Sequence, residues 1–74
     1  MIEIVSIGDE LLSGRTVNTN AAFICAQLTQ RGWTVGRQLT LADDPALLEE
    51  GLREALARSE LIIATGGLGA NADG

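Results

Sequence analysis

Two short segments carry most of the chemistry this sequence could do. Gly8-Asp9-Glu10-Leu11-Leu12-Ser13-Gly14 and Gly66-Gly67-Leu68-Gly69 each follow directly on an apolar, strand-like run. Glycines at the end of a strand admit backbone torsions closed to other residues and let amide N–H groups approach an anion, so Gly66, Gly67 and Gly69 can cradle a phosphate. Neither the dinucleotide fingerprint nor the P-loop lysine is present, and a tight turn without a ligand remains the alternative. In the first segment, Asp9 or Glu10 can hold a hydrated divalent ion or accept hydrogen bonds from ligand hydroxyls. Adjacent side chains tend to point apart, so one of the two is expected to take the ligand role. Ser13 and Thr16 can donate to phosphate oxygens, and Arg15 can neutralise one. Asn18 and Asn20 stand where a helix should begin, either as caps or as anion-facing polar groups. Asp73 could add a carboxylate facing Asp9.

The elements that must position these residues follow from pattern. Ile2 to Ile7 reads as a strand ending at Gly8, followed by a polar loop to about Val17. Ile24 and Leu28 stack at i,i+4 beside Ala21 and Cys25, and Gly32 suits a left-handed helix stop, which predicts a helix from Thr19 to Arg31. Trp33, Val35 and Leu39 alternate with polar residues as in a half-buried second strand, with Arg37 interrupting the apolar face and Trp33 expected in a core or an interface. Asp44-Pro45 opens a second helix to Arg58, striped by Leu48, Leu52 and Leu56, with Gly51 marking close packing. Leu61-Ile62-Ile63-Ala64 is continuously apolar, as in a parallel strand covered on both faces.

The order β-α-β-α-β with short connections predicts an α/β fold of three layers: a parallel sheet with right-handed crossovers, the first strand in the middle and one helix on each face. Both loops then leave the carboxyl ends of parallel strands, where open α/β sheets bind nucleotides and similar anions. The third strand becomes an edge despite an interior composition. The expected resolution is that the domain continues past Gly74, or that the Leu61–Ala64 edge is covered by a second copy in a homo-oligomer.

Composition narrows the function. At 74 residues the chain is at most one domain, burying about 60% of its unfolded surface, and a core of that size rarely nets more than about 3–5 kcal/mol. The net charge of −5 disfavours a nucleic-acid surface. With no histidine present, His-based metal sites and triads are excluded. Cys25, the single cysteine, reads as a small buried hydrophobe. The absence of a disulfide framework, a leader or a long apolar run points to no membrane role and to the cytoplasm. Glu49 with Arg53, and Glu54 with Arg58, sit at i,i+4 in the favourable order and are assigned to solvent.

As a set, Ile7-Gly8-Asp9-Glu10-Leu11-Leu12 through Gly14, then Val17-Asn18-Thr19-Asn20-Ala21, then Gly66-Gly67-Leu68-Gly69, resemble the opening of the competence/damage-inducible CinA family. That family lies within the molybdopterin-binding superfamily of MogA, MoaB and MoeA. The resemblance covers essentially all 74 residues and implies the N-terminal part, residues 1–74, of a single three-layer domain about twice as long. It also implies a pocket for a small-molecule nucleotide or pterin pyrophosphate lined by Gly8, Asp9, Glu10, Ser13, Asn18, Asn20, Gly66, Gly67, Leu68, Gly69 and Asp73. The activity implied is a metal-dependent ADP-ribose pyrophosphatase, with Asp9 and Glu10 catalytic and a divalent ion (Mg, Mn or Co) on Asp9. The family loop usually continues with Pro-Thr, one variable residue and two Asp; here Asp73 matches the first acid and Gly74 replaces the second. The chain alone is therefore expected to lack turnover. A non-catalytic ligand-binding or regulatory module, and a structural piece without activity, are the other readings.

Overall fold

The computed structural model describes residues 1–66, ordered as β1 (Ile2–Ile7), α1 (Asp9–Leu12), α2 (Thr19–Gln30), β2 (Val35–Leu41), α3 (Pro45–Arg58) and β3 (Leu61–Gly66). The strands form one parallel sheet in the order β2-β1-β3. Ile2, Ile4 and Ala21 form a core with Ile24, Cys25 and Leu28 of α2 on one face. Val5, Ile7 and Ala55 form another with Leu48 and Leu52 of α3 on the opposite face. The α/β class, the three layers and the central place of the first strand are as expected.

Helix ends follow local chemistry. The Asn18 side chain accepts from Ala21 N at the start of α2, and Asp44 accepts from Leu47 N at the start of α3 with Pro45 at the first helical position. After Gln30, Gly32 N donates to Thr29 O and Trp33 N to Leu28 O, with Gly32 at φ 87°, which is a Schellman stop.

That stop corrects the reading of Trp33. Its amide closes the helix instead of entering the strand, so β2 begins at Val35 and the Trp33 side chain is 57% exposed, outside the core. The single-face pattern expected for the second strand also fails. Val35 packs with Ile2 and Ile4, whereas Leu41, six residues on, packs with Val5 and Ile7. An even separation would keep both on one face, but the pairing register shifts between Ile2 and Glu3, skipping Gly36 and reversing the face. A Cβ on Gly36 would meet the Met1 side chain, which would have to shift to admit it.

Three further corrections concern single residues. The first loop contains a one-turn helix, Asp9–Leu12, whose two leading acids suit its N-terminal amides. Gly66 is the last residue of β3, paired with Ile7, rather than the first of a loop. Arg58 pairs with Glu3 and not with Glu54: its Nε and one terminal nitrogen donate to Glu3 at 3.1 and 2.7 Å, and Ser59 Oγ donates to the same carboxylate at 2.6 Å. Glu3 is fully buried on β1, where water cannot solvate it, so the guanidinium fork is recruited from α3. Glu49 and Arg53 do pair on the exposed face. Gly51 is buried as expected, and a Cβ there would come within 2.7 Å of the Leu41 methyls.

The two sheet edges differ. β2 carries Arg37, Gln38 and the bulge, devices that discourage further pairing. β3 has no charge, proline or register irregularity, and among the described residues it pairs only with β1. Leu61 on it is 47% exposed. No helix among the described residues is long and apolar enough to cross a membrane.

Two tests follow. A second copy is expected to pair along Leu61–Ala64, so light scattering over a concentration series should show mass rising toward two chains, and Leu61→Lys should suppress the rise. A constant mass of one chain with a cooperative thermal transition would count against it. The second test concerns acid. The Arg58 hydrogen bonds hold the Glu3 carboxyl below its ordinary value, against the opposing effect of burial. The ionised pair thus contributes stability above the ordinary glutamate value of about 4.3, and the contribution is lost as pH falls through the lower folded-state value. Thermal midpoints should drop between pH 5 and pH 3 (about the range bracketing that value), and Glu3→Gln should be less stable at neutral pH but lack this part of the drop.

Candidate functional site

β1 and β3 run parallel and finish side by side, with Ser6 opposite Thr65 and Ile7 opposite Gly66. Gly66 has φ 128°, a region that disfavours side chains, and a Cβ there would strike the Ile7 carbonyl oxygen. The missing side chain lets the strand ends close up. Above them lies a cleft of about 120 Å³, walled by the segment after β1 and the N-terminus of α2.

Among the sequence-derived candidates, Glu10, Asn18, Asn20 and Gly66 line this cleft together. The Glu10 carboxylate folds back over Gly8, where an added Cβ would come within 2.8 Å of its Oε2. Gly8 thus matters for its lack of a side chain, since its φ of 167° is ordinary extended backbone. Asp9 points elsewhere: its Oδ1 accepts from Asp43 N at 3.0 Å, tying the one-turn helix to the chain beyond β2. Ser13 also lies outside the cleft, its Oγ donating to Glu10 O at 3.3 Å. Gly67, Leu68, Gly69 and Asp73 lie outside the described residues.

Asn18 is both cap and brace. Its Oδ1 accepts from Ala21 N at 3.2 Å and its Nδ2 donates to Ser6 Oγ at 2.7 Å, joining α2 to the floor of the cleft. Ser6 and Thr65 are cleft residues that sequence reasoning missed. The signal was present: each is the one hydroxyl in its strand, one position before its end.

No three acidic or cysteine side chains are grouped to hold a metal ion among the described residues. Two roomier concavities exist. One, of about 460 Å³, lies beside β2 and Trp33; the other, about 330 Å³, lies between Leu12 and Leu47. The first lies away from the carboxyl ends of the strands, and the second, at the end of β2, is lined mainly by apolar residues such as Leu12, Leu41, Ala42 and Leu47, so the smaller, more polar cleft is the better candidate on chemical grounds.

Comparison with known proteins agrees with the fold. Residues 3–74 match the family described as the probable molybdopterin binding domain. The chain belongs to that family. It is 52% identical over 71 residues to a CinA-like protein of Chlorobium phaeobacteroides, covering 96% of this chain and 17% of that protein. A CinA-like protein of Citrifermentans bemidjiense is 49% identical over 72 residues, covering 97% of this chain and 17% of the relative. The crystal structure of the protein CinA, of unknown function, from Thermoplasma acidophilum superposes with a TM-score of 0.85 at 43% identity, over 95% of this chain and 41% of that one. The chain thus spans about a sixth of the length of these curated relatives.

The Asn18 brace generates a test. Asn18→Ala removes the cap and should cost about 1 kcal/mol or more in a urea titration. Asn18→Asp keeps the capping oxygen and should recover most of that loss, while leaving Ser6 without its donor.

Proposed function

We propose that the cleft binds a nucleotide or pterin carrying a pyrophosphate, and that the longer proteins to which this chain is similar hydrolyse that pyrophosphate with a divalent metal ion. One observation carries the reading: Glu10, Asn20 and the braced Asn18 meet at the carboxyl ends of two adjacent parallel strands, beside a helix N-terminus. Strand ends of this kind are where open α/β sheets place such ligands, and the N-terminal amides of α2 favour an anionic portion. The probable molybdopterin-binding description of the matched family supports the same ligand class.

A Mg²⁺-like ion keeps several waters and needs only one or two protein carboxylates besides the substrate's oxygens. Asp9 lies outside the cleft, exposed and with one oxygen left after its bond to Asp43 N, so it would meet such an ion only on phosphates that extend beyond the cleft. When bound, such an ion would polarise the pyrophosphate and lower the pKa of a water. The chain's own contribution is to place the ligand against the braced helix start. The rival reading, a non-catalytic binding module, is favoured by Gly74 at the place of the second family acid.

The test is to mix ADP-ribose with Mg²⁺, Mn²⁺ or Co²⁺ and follow binding and AMP release. The 74-residue chain is expected to bind without turnover, and a longer protein carrying the domain to release AMP, with a large loss in Asp9→Ala. Turnover by the chain itself, lost in Asp9→Ala, would overturn the expectation of an incomplete site. Binding without AMP release by the longer protein would favour the non-catalytic module.

A further inference from the structure

The cleft walls favour one part of such a ligand over the others. The described lining includes the hydroxyl residues Ser6, Thr16, Thr19 and Thr65, together with Asn20 and Glu10, and no Arg. Asn18 is spent internally, on Ala21 N and on Ser6. Ser6 is 2% exposed and its Oγ accepts from Asn18, so its own proton remains to be donated and has no acceptor among the described residues. The Glu10 carboxylate likewise has no donor among the described residues, and its two oxygens are available to a ligand.

A phosphate group next to that carboxylate would be repelled, by about 1 kcal/mol at 4 Å in water and more in a drier cleft. A flat pterin ring would lack a stacking partner, because neither Trp33 nor Phe23, the chain's two aromatic residues, lines the cleft. The volume of about 120 Å³ falls below the usual 300–1,000 Å³ of a complete ligand pocket and has room for one sugar or ring. A vicinal diol satisfies all three constraints. It is neutral, it donates two hydrogen bonds that the two carboxylate oxygens can accept, and its own oxygen can receive the Ser6 proton.

Resting on the nucleotide reading above, we propose that Glu10 recognises the vicinal diol of a ribose and that this part of the cleft holds the sugar of a ribonucleotide ligand, the phosphates lying outside it. The recognition resembles in its chemistry the acidic residue that accepts from ribose hydroxyls in dinucleotide-binding sheets. Ser6, held by Asn18, completes the sugar contact from the floor.

The experiment compares AMP, 2′,3′-dideoxy-AMP and 6-hydroxymethylpterin by titration calorimetry on the full chain and on Glu10→Gln, with thermal melts to confirm that the variant folds. AMP is expected to bind about tenfold or more tightly than the dideoxy compound, the worth of hydrogen bonds to a charged acceptor. In Glu10→Gln the gap should shrink to about twofold or less, since a carboxamide can accept on one side only. Equal affinities for AMP and dideoxy-AMP, or a gap unchanged in Glu10→Gln, would overturn the diol assignment while leaving nucleotide binding intact. Pterin binding that depends on Glu10 and exceeds AMP binding would replace it with a ring-edge contact. Binding of neither AMP nor pterin would overturn both this assignment and the reading on which it rests.

Discussion

The whole architecture hangs on the complete burial of β1. Each of its six residues is shut off from solvent, with α2 on one face and α3 on the other. Under that constraint every residue must be apolar or fully paired, because an orphaned buried polar group costs about 1–3 kcal/mol. The two polar residues obey it on opposite faces. Glu3, at the amino end, draws in Arg58 and Ser59 and so fixes where α3 stops and turns into β3. Ser6, at the carboxyl end, draws in Asn18 and so fixes where α2 starts. One strand thereby sets the end of one helix and the beginning of another, and the cleft forms at the second of these anchors.

How far this was legible in the sequence depends on the range of the interaction. Local signals carried well: Asp44-Pro45 opens α3 at the expected place, Gly32 stops α2, and the β-α-β-α-β order leads to the observed strand order. Contacts between distant residues did not carry. Arg58 has an acid four residues before it, the usual mark of an exposed helical pair, and nothing local announces a buried carboxylate 55 positions away. The bulge at Gly36 was hidden for the same reason, since it shows only in the pairing of β2 with the distant β1. Trp33 misled because alternation with Val35 is indistinguishable by pattern from a helix stop followed by a strand.

At the site, residue types were easier to choose than directions. Asp9 and Glu10 are neighbours with the same charge, and the sequence supplied only the expectation that they diverge. The one-turn helix resolves it, sending Asp9 to Asp43 N on the β2 side and Glu10 over Gly8 to the cleft. Glycine has two different uses here. Gly66 is required by its torsion and by contact with the Ile7 carbonyl, whereas Gly8 leaves room for a side chain. A glycine loop read only as a phosphate cradle misses both.

The two anchors on β1 also separate stability from function. Glu3 and Arg58 sit at the amino end of the sheet, so protonation of Glu3 in acid acts at the end away from the groups that line the cleft. Ser6 and Asn18 sit at the carboxyl end, where the same kind of buried bond does double duty by satisfying the strand and aiming the helix start. Changes at Glu3 should therefore act on the site only through unfolding, while changes at Asn18 alter the cleft in a chain that still folds. That division follows from the alternation of a strand covered on both faces, with Glu3 on the α3 side and Ser6 on the α2 side.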